Sequence, residues 1–583
     1  MKHRTSQTFT FVLLSIFVVV SSITYYTSIW YPKRLKPEFQ WSLLKNSTSH
    51  DHSLESLSSE ELPYDSRYFS GSSATMGAES EKMEAIVAAF KHAWNAYVRD
   101  AMGCDEYRPI SRTGENFTAE GGIGYTIVDA IDTMYLMGLR TEYETARYWI
   151  ETELSFNHSS SAVSTFETTI RVLGGLLSAH YLTSDRLYLK HAEDLGHRLV
   201  VAFNTLSGIP HPTVNLGKSH EPQYSYITSL AEAGSLQLEF KYLAELTNND
   251  TFWYKAERAM SVIHNGLLSN GLAPTRIRLQ QGTFQSSIVR LGSLADSYYE
   301  YLLKQYLLTK STETVYQTMY NNAVDGIAEN LMQQTPEEHL TYMAELNPQG
   351  YFLNSTPSAW NLGHRQEHLV CFLAGSLMLG AVTSGSRDGH RMVSVPPKPH
   401  ELTSRGLRDW KMGIDFLEGC MSTHNTKTGL APEVAEFRAA DDANYPYDKD
   451  WFIPRRDASP NRSPYEARYM LRPEIVESVF IAWRLTGDSR YRDWAWNIFS
   501  SIQKHARIPT GGYGIVADVD QVPVKLLDKQ ETFFMSETLK YLYLTFCDTD
   551  VLPLQDSVFN TEAHPIPIFS PTVIPLANHP PPT

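Results

Sequence analysis

Between residues 79 and 544 apolar residues recur at helical spacing in about fourteen stretches, separated only by short polar or Gly/Pro loops. The stretches are 79–102, 124–139, 142–154, 164–181, 185–203, 228–246, 251–268, 296–308, 313–332, 364–382, 401–421, 473–485, 489–505 and 531–544. Strand-like stretches are few and short, such as 513–516 and 558–560. No linker and no fixed-length repeat breaks the run. So many helices with so little sheet must bury their apolar faces on one another. One all-α domain over residues 79–568 is therefore expected. A ring of paired helices is one natural closure, although periodicity alone does not show the ring.

The ends of the chain differ from this body. Residues 9–31 are almost free of charge and rich in Phe, Val, Ile and Leu, which is long enough to cross a bilayer. No small-residue cleavage site follows, so we read a transmembrane anchor behind a short cytoplasmic tail, residues 1–8; a cleaved signal peptide is the competing reading. Residues 32–78 are rich in Ser, Glu and His and read as a flexible stem. Residues 569–583 form a Pro-rich tail, read as disordered. Asn46, Asn116, Asn157, Asn249, Asn354 and Asn461 each begin an N-x-S/T triplet, which favours a lumenal body.

Fifty basic residues against 65 acidic ones leave a net charge of −15, which argues against nucleic-acid binding. The four cysteines, Cys104, Cys371, Cys420 and Cys547, show no zinc spacing. Two polar loops, 384–399 and 438–464, are long enough to carry function or to be plain insertions.

Carboxylates inside apolar helical stretches are the informative feature, because Asp and Glu are rarely buried unless paired or functional. Glu167 and Arg171 stand four apart on one helix face, as an ion pair or as a carboxyl aimed into a site. Asp296 opens a helical stretch, where an N-cap is the plain alternative. Glu474 and Glu477 follow Pro473 at a helix start beside Arg472, where the helix dipole alone favours acids. Glu537 follows the aromatic Phe533, and Thr561 and Glu562 sit in a turn before His564. A threonine there offers oxygens to a hard cation, or is simply a turn residue. Several carboxylates with arginines and aromatics suit glycoside hydrolysis, in which two carboxylates flank an oxocarbenium-like transition state.

Six of these segments, GYTIVDAIDTMYLMGL from Gly124, FETTIR from Phe166, DSYYEY from Asp296, HLVCF from His368, LRPEIVES from Leu471 and FNTEAHP from Phe559, occur in that order. In them the chain resembles the class I α-1,2-mannosidases, glycoside hydrolase family 47, over about residues 82–565. The resemblance implies an (α/α)7 barrel with short β-hairpins and an inverting reaction that removes α-1,2-linked mannose. Its partners would be high-mannose N-glycans, and its cofactor Ca²⁺. It implies that Glu167 is the acid, Glu474 the base and Asp296 a third essential carboxylate. Thr561 would bind Ca²⁺ directly, while Arg171, Glu232, Leu294, His368, Arg472, Glu477, Phe533, Glu537 and Glu562 would line the sugar subsite or the outer shell of the cation. Cys371 and Cys420 match the family's disulfide pair; Cys104 and Cys547 match none and are expected free.

The chain is expected to be a monomer, anchored with its body lumenal in the endoplasmic reticulum or Golgi membrane. Leu294 stands where reticulum-type members resemble one another in having Arg and Golgi-type members have Leu. That loss of a multidentate donor implies broader trimming, toward Man5 rather than stopping at Man8, whereas the run from Tyr298 to Gln305 reads closer to the reticulum type. Glu367 stands where the family usually has Asp, and Ala374 where it has Pro. Two alternatives remain open on the same scaffold: a degradation-enhancing mannosidase-like protein, and a non-enzymatic glycan-binding protein. Loss of any of Glu167, Asp296, Glu474 or Thr561 would favour the second, and all four are present.

Overall fold

Seven helices are buried on nearly every face, and these make the centre of the molecule. They are α1 (Tyr125–Leu136), α2 (Gly174–Thr183), α3 (Gln237–Thr247), α4 (Asp296–Leu308), α5 (Phe372–Val382), α6 (Glu474–Thr486) and α7 (Leu539–Phe546). Every residue of α4 after Asp296 is buried, and so is every residue of α6 after Glu474. Each is followed or, for α7, partnered by a helix with one apolar stripe. Arg140–Thr152 buries only Ala146 and Ile150 and turns its charged remainder to solvent. The computed structural model describes residues 67–573 apart from 74–75, 159–160, 218–224, 350–359, 389–392, 440–448 and 457–462. Among the described residues there are fourteen α-helices of eight residues or more, and eighteen strands of two to four residues.

Packing order follows chain order. Each of α1 to α6 touches the next central helix, and the turn Phe534–Thr538 that leads into α7 packs back on α1 and closes the circle. The outer helix Ser80–Ala101, the first of the described helices, pairs with α7, the last of them. Among the described residues, eight small antiparallel sheets of two or three strands accompany the helices. One of them, Ser557–Phe559 with Pro565–Pro567, packs against α2 and α4.

The disulfide between Cys371 and Cys420 joins α5 to its outer partner Ser404–Ser422, and Cys104 and Cys547 are free. The bridge closes a loop of 49 residues. In the chain-entropy account such a loop stabilises by about 4 kcal/mol. Replacing both cysteines with Ser is expected to lower the free energy of unfolding by about 2–4 kcal/mol in urea titrations.

The folded body begins earlier than residue 79. Tyr68 and Phe69, in the segment read as stem, are buried. Trp410 donates from Nε1 to the Tyr68 carbonyl at 2.7 Å, and Ser70 donates to Asp488 at 2.6 Å. Aromatic side chains isolated in a polar stretch hid this docking from a reading by composition. Residues 1–8, the expected anchor 9–31, most of the expected stem and residues 574–583 lie outside the described residues, as do Asn46, Asn354, Asn461 and parts of the polar loops 384–399 and 438–464. Among the described residues no helix is long and apolar enough to cross a membrane.

Candidate active site

The N-terminal ends of the seven central helices converge on one side of the ring. Four of the helical stretches depart from regular α-helix near their starts, and all four do so at this end. Stretch 164–181 opens with a short turn, Thr165–Glu167, and a wide π-turn, Thr168–Leu173, before α2. Stretch 228–246 breaks between Leu230–Gly234 and α3, and 364–382 opens as a strand and a tight turn before α5. Stretch 531–544 opens with a π-turn, Phe534–Thr538. Single-turn π-bulges re-aim side chains and are frequent at functional sites. Here they carry Arg171 and Glu537.

A cavity of about 310 Å³ lies among these ends. Its walls include Glu167, Arg171, Glu232, Leu294, Asp296, Arg472, Glu474, Phe533, Glu537, Thr561 and Glu562. Of the residues singled out in the sequence, His368 and Glu477 stand behind that wall. His368 meets Glu474 through Nδ1 at 2.9 Å, and Glu477 accepts from Tyr541 at 3.4 Å and pairs with Lys304 at 3.5 Å. A second cavity, of about 550 Å³, shares Glu167, Arg171, Arg472 and Phe533 with the first and continues past Phe117, Tyr125 and Lys529.

The carboxylates differ in their surroundings. Burial raises the Asp296 carboxyl to about 7, opposed by the Ser297 N–H and reinforced by Glu367, Glu300 and Glu474. Asp296 therefore does not work as an N-cap; it is the first helical residue of α4, and its side chain accepts only from Ser297 at 3.0 Å among the hydrogen bonds described. Burial pushes Glu474 upward too, but the hydrogen bond from His368 and the charge of Arg472, 3.6 Å away, leave it below the usual carboxylate range. Glu167 accepts from Arg171 at 2.9 Å and from Tyr125 at 3.4 Å. Glu232 caps its own short helix, accepting from Ser229 N at 2.8 Å, so part of its carboxylate is spent on local structure.

Arginines organise the walls. Arg171 donates to Glu167 and Glu562, and lies over the Tyr125 and Phe533 rings at 5.4 and 5.7 Å. Arg472 lies over Phe533 at 5.8 Å and donates from Nε to both oxygens of Glu433, at 2.9 and 2.8 Å. The sequence reading missed Glu433, because its partner lies 39 residues away. It also missed Asp129 and Asp132 inside α1, both fully buried and both bonded to His564. Two aspartates in an otherwise apolar helix were the available signal.

The floor of the cavity carries more acid than base. Burial, then Glu562 and Glu474, push Glu537 far above the usual range; burial likewise pushes Glu562 up against the opposing charge of Arg171. Glu477 rises to about 8 through burial, opposed by Lys304. Glu537 and Glu562 share the cavity wall with Thr561, whose hydroxyl and carbonyl are hard oxygen donors, and a cation there would let them ionise. Among the described residues no group of three or more His, Cys, Asp or Glu side chains is placed to hold a metal ion by itself. The oxygen donors of Thr561 beside buried carboxyls nonetheless suit a hard cation that completes its shell with waters.

A helical ring whose helix ends present carboxyls in unlike surroundings to a polar cavity suits hydrolysis of the two-carboxylate class. The profile of glycosyl hydrolase family 47 matches residues 89–568. The chain is 40% identical over 492 residues to the endoplasmic reticulum mannosyl-oligosaccharide 1,2-alpha-mannosidase of Schizosaccharomyces pombe, covering 83% of this chain and 88% of that one. It is 39% identical over 499 residues to the rat protein of the same description, covering 84% and 69%. Among solved structures it resembles the alpha-1,2-mannosidase from Trichoderma reesei with a TM-score of 0.73 and 28% identity, over 84% of this chain and all of that one. The chain belongs to glycosyl hydrolase family 47.

Proposed function

We propose that this protein removes terminal α-1,2-linked mannose from high-mannose N-glycans, by inversion, on an (α/α)7 barrel. The observation that carries the mechanism is the opposed pair at the cavity: Glu474 held ionised by His368 and Arg472, and Asp296 retaining its proton up to about pH 7. Glu474 takes a proton from water as that water attacks the anomeric carbon. The glycosidic C–O bond breaks, and its oxygen receives a proton from the acid. The resemblance gives the acid role to Glu167; the raised Asp296 makes Asp296 the better donor near neutral pH. Glu167, at the boundary of the two cavities with Arg171, then meets the leaving sugar.

Phe533 and the arginines over its faces suit an apolar sugar face edged by hydroxyls. Calcium at Thr561 would supply positive charge against the acidic floor and grip sugar hydroxyls. Leu294 places no charged donor on the wall beside Asp296, which supports trimming beyond Man8. The names of the relatives support residence in the endoplasmic reticulum, and residues 9–31 support a type II single-pass anchor on a monomer. The test is proton NMR of the first mannose released from Man9GlcNAc2: an inverting enzyme yields β-mannose first, and an initial α-anomer would overturn the single-displacement reading.

A further inference from the structure

The turn that carries Thr561 is held from below by side chains that never reach the cavity. Asn560 ties this turn to its surroundings through its whole amide: Oδ1 accepts from Glu562 N at 2.9 Å and His564 N at 2.8 Å within the turn, while Nδ2 donates outward to the Ile170 carbonyl at 2.8 Å and to Glu239 Oε1 at 2.7 Å. Tyr301 donates its hydroxyl to the same Glu239 oxygen at 2.8 Å, and its oxygen accepts the Thr561 N–H at 3.4 Å. On the far side His564 meets Asp132 at 2.8 Å and Asp129 at 3.1 Å, and Lys540 donates to the Ala563 carbonyl at 2.6 Å. Ala563 itself adopts φ 59°, a left-handed conformation that an alanine takes only when its surroundings compel it. Gly174 of α2 leaves the necessary room, since a Cβ there would lie 2.7 Å from Asn560 Nδ2.

Glu239 stands out in this set. It is fully buried in α3, it touches neither cavity, and its second oxygen has no hydrogen-bond partner. A buried carboxylate is costly to keep unless something depends on it. It receives two donors, Asn560 and Tyr301, and each of them also bonds the backbone around Thr561.

We propose that Glu239 is a positioning residue for the cation site: through Asn560 and Tyr301 it fixes the Thr561 turn, and so sets calcium affinity without touching calcium. The proposal rests on the reading of Thr561 as the cation ligand. Outer-shell partners of this kind typically change metal affinity by about 10–100-fold when removed.

The test is calorimetric titration of Ca²⁺ alone into the full-length protein and its variants, each checked for folding by its melting curve in EDTA. Glu239→Ala is expected to weaken Ca²⁺ binding by about 10–100-fold. Glu239→Gln keeps an acceptor oxygen for both donors and is expected to stay within about threefold of the parent. Should the alanine variant not fold, Tyr301→Phe removes the hydroxyl link alone and is expected to cost about tenfold in affinity. Unchanged affinity in the alanine or phenylalanine variant, with at most a lowered melting temperature, makes Glu239 merely structural and overturns the proposal. A glutamine variant as weak as the alanine one also overturns it, since charge rather than the acceptor would then matter. A parent protein that binds no Ca²⁺ refutes the cation reading itself, and the proposal falls with it.

Discussion

Glu474→Gln is expected to lower kcat by about a thousandfold while KM changes by less than about threefold, the loss general-base removal commonly brings. The glutamine is the same size, and its oxygen still meets His368 from the first turn of α6, so the fold and the cavity wall are retained. What disappears is a carboxylate that two neighbours keep ionised in a buried place where burial opposes its charge. An amide cannot take the proton of the attacking water. Steady-state kinetics on a mannosyl oligosaccharide reads this directly. A variant retaining a tenth of the parent kcat would transfer the base role elsewhere.

Asp296→Asn has two expected effects of opposite kind. Activity falls by about 10²–10⁴-fold, because an amide cannot donate the proton the leaving oxygen needs. Stability rises. In the folded protein the carboxyl holds its proton up to about pH 7, whereas in the unfolded chain it releases it near 3.8. Across that window the folded state binds more protons than the unfolded one, so stability falls as pH rises. Below about pH 4 both states are protonated and nothing is lost; above about pH 7 the full cost of the buried charge is present. The asparagine variant should therefore melt a few degrees higher than the parent above neutrality and converge with it in acid. The parent's kcat/KM should fall as pH rises through about 7, since the active form of Asp296 is the protonated one. Equal melting curves at all pH values would show that Asp296 is not held in its proton-retaining state.

Most of the helices were legible in the sequence because their periodicity is a local property. The stretches 296–308 and 489–505 agree with Asp296–Leu308 and Ser489–His505. What local pattern does not carry is the order in which helices meet. The closing contact joins the turn Phe534–Thr538 to α1, about four hundred residues away, and α7 pairs with the outer helix Ser80–Ala101. The four stretches that depart from regular α-helix near their starts hold Glu167, Glu232, His368 and Glu537. Tertiary packing there overrides helical propensity in order to aim side chains, and local consistency is expected to fail at such functional places. Leu294 and Leu471 follow the same logic. Both adopt left-handed φ values, 78° and 65°, just before Asp296 and Arg472. The carboxylates were legible as residues out of place in apolar stretches, but their partners were not. Glu433 beneath Arg472 and Glu239 beneath Asn560 become visible only when distant helices are brought together.

The central claim, a calcium-dependent α-1,2-mannosidase, is tested most directly by a time course of the full-length protein on Man9GlcNAc2, with calcium, with EDTA, and with calcium restored after EDTA. Mannose release is expected to stop in EDTA and to resume on restoration, with passage beyond Man8 where Leu294 lines the wall. Folded protein that releases no mannose with calcium present would contradict it.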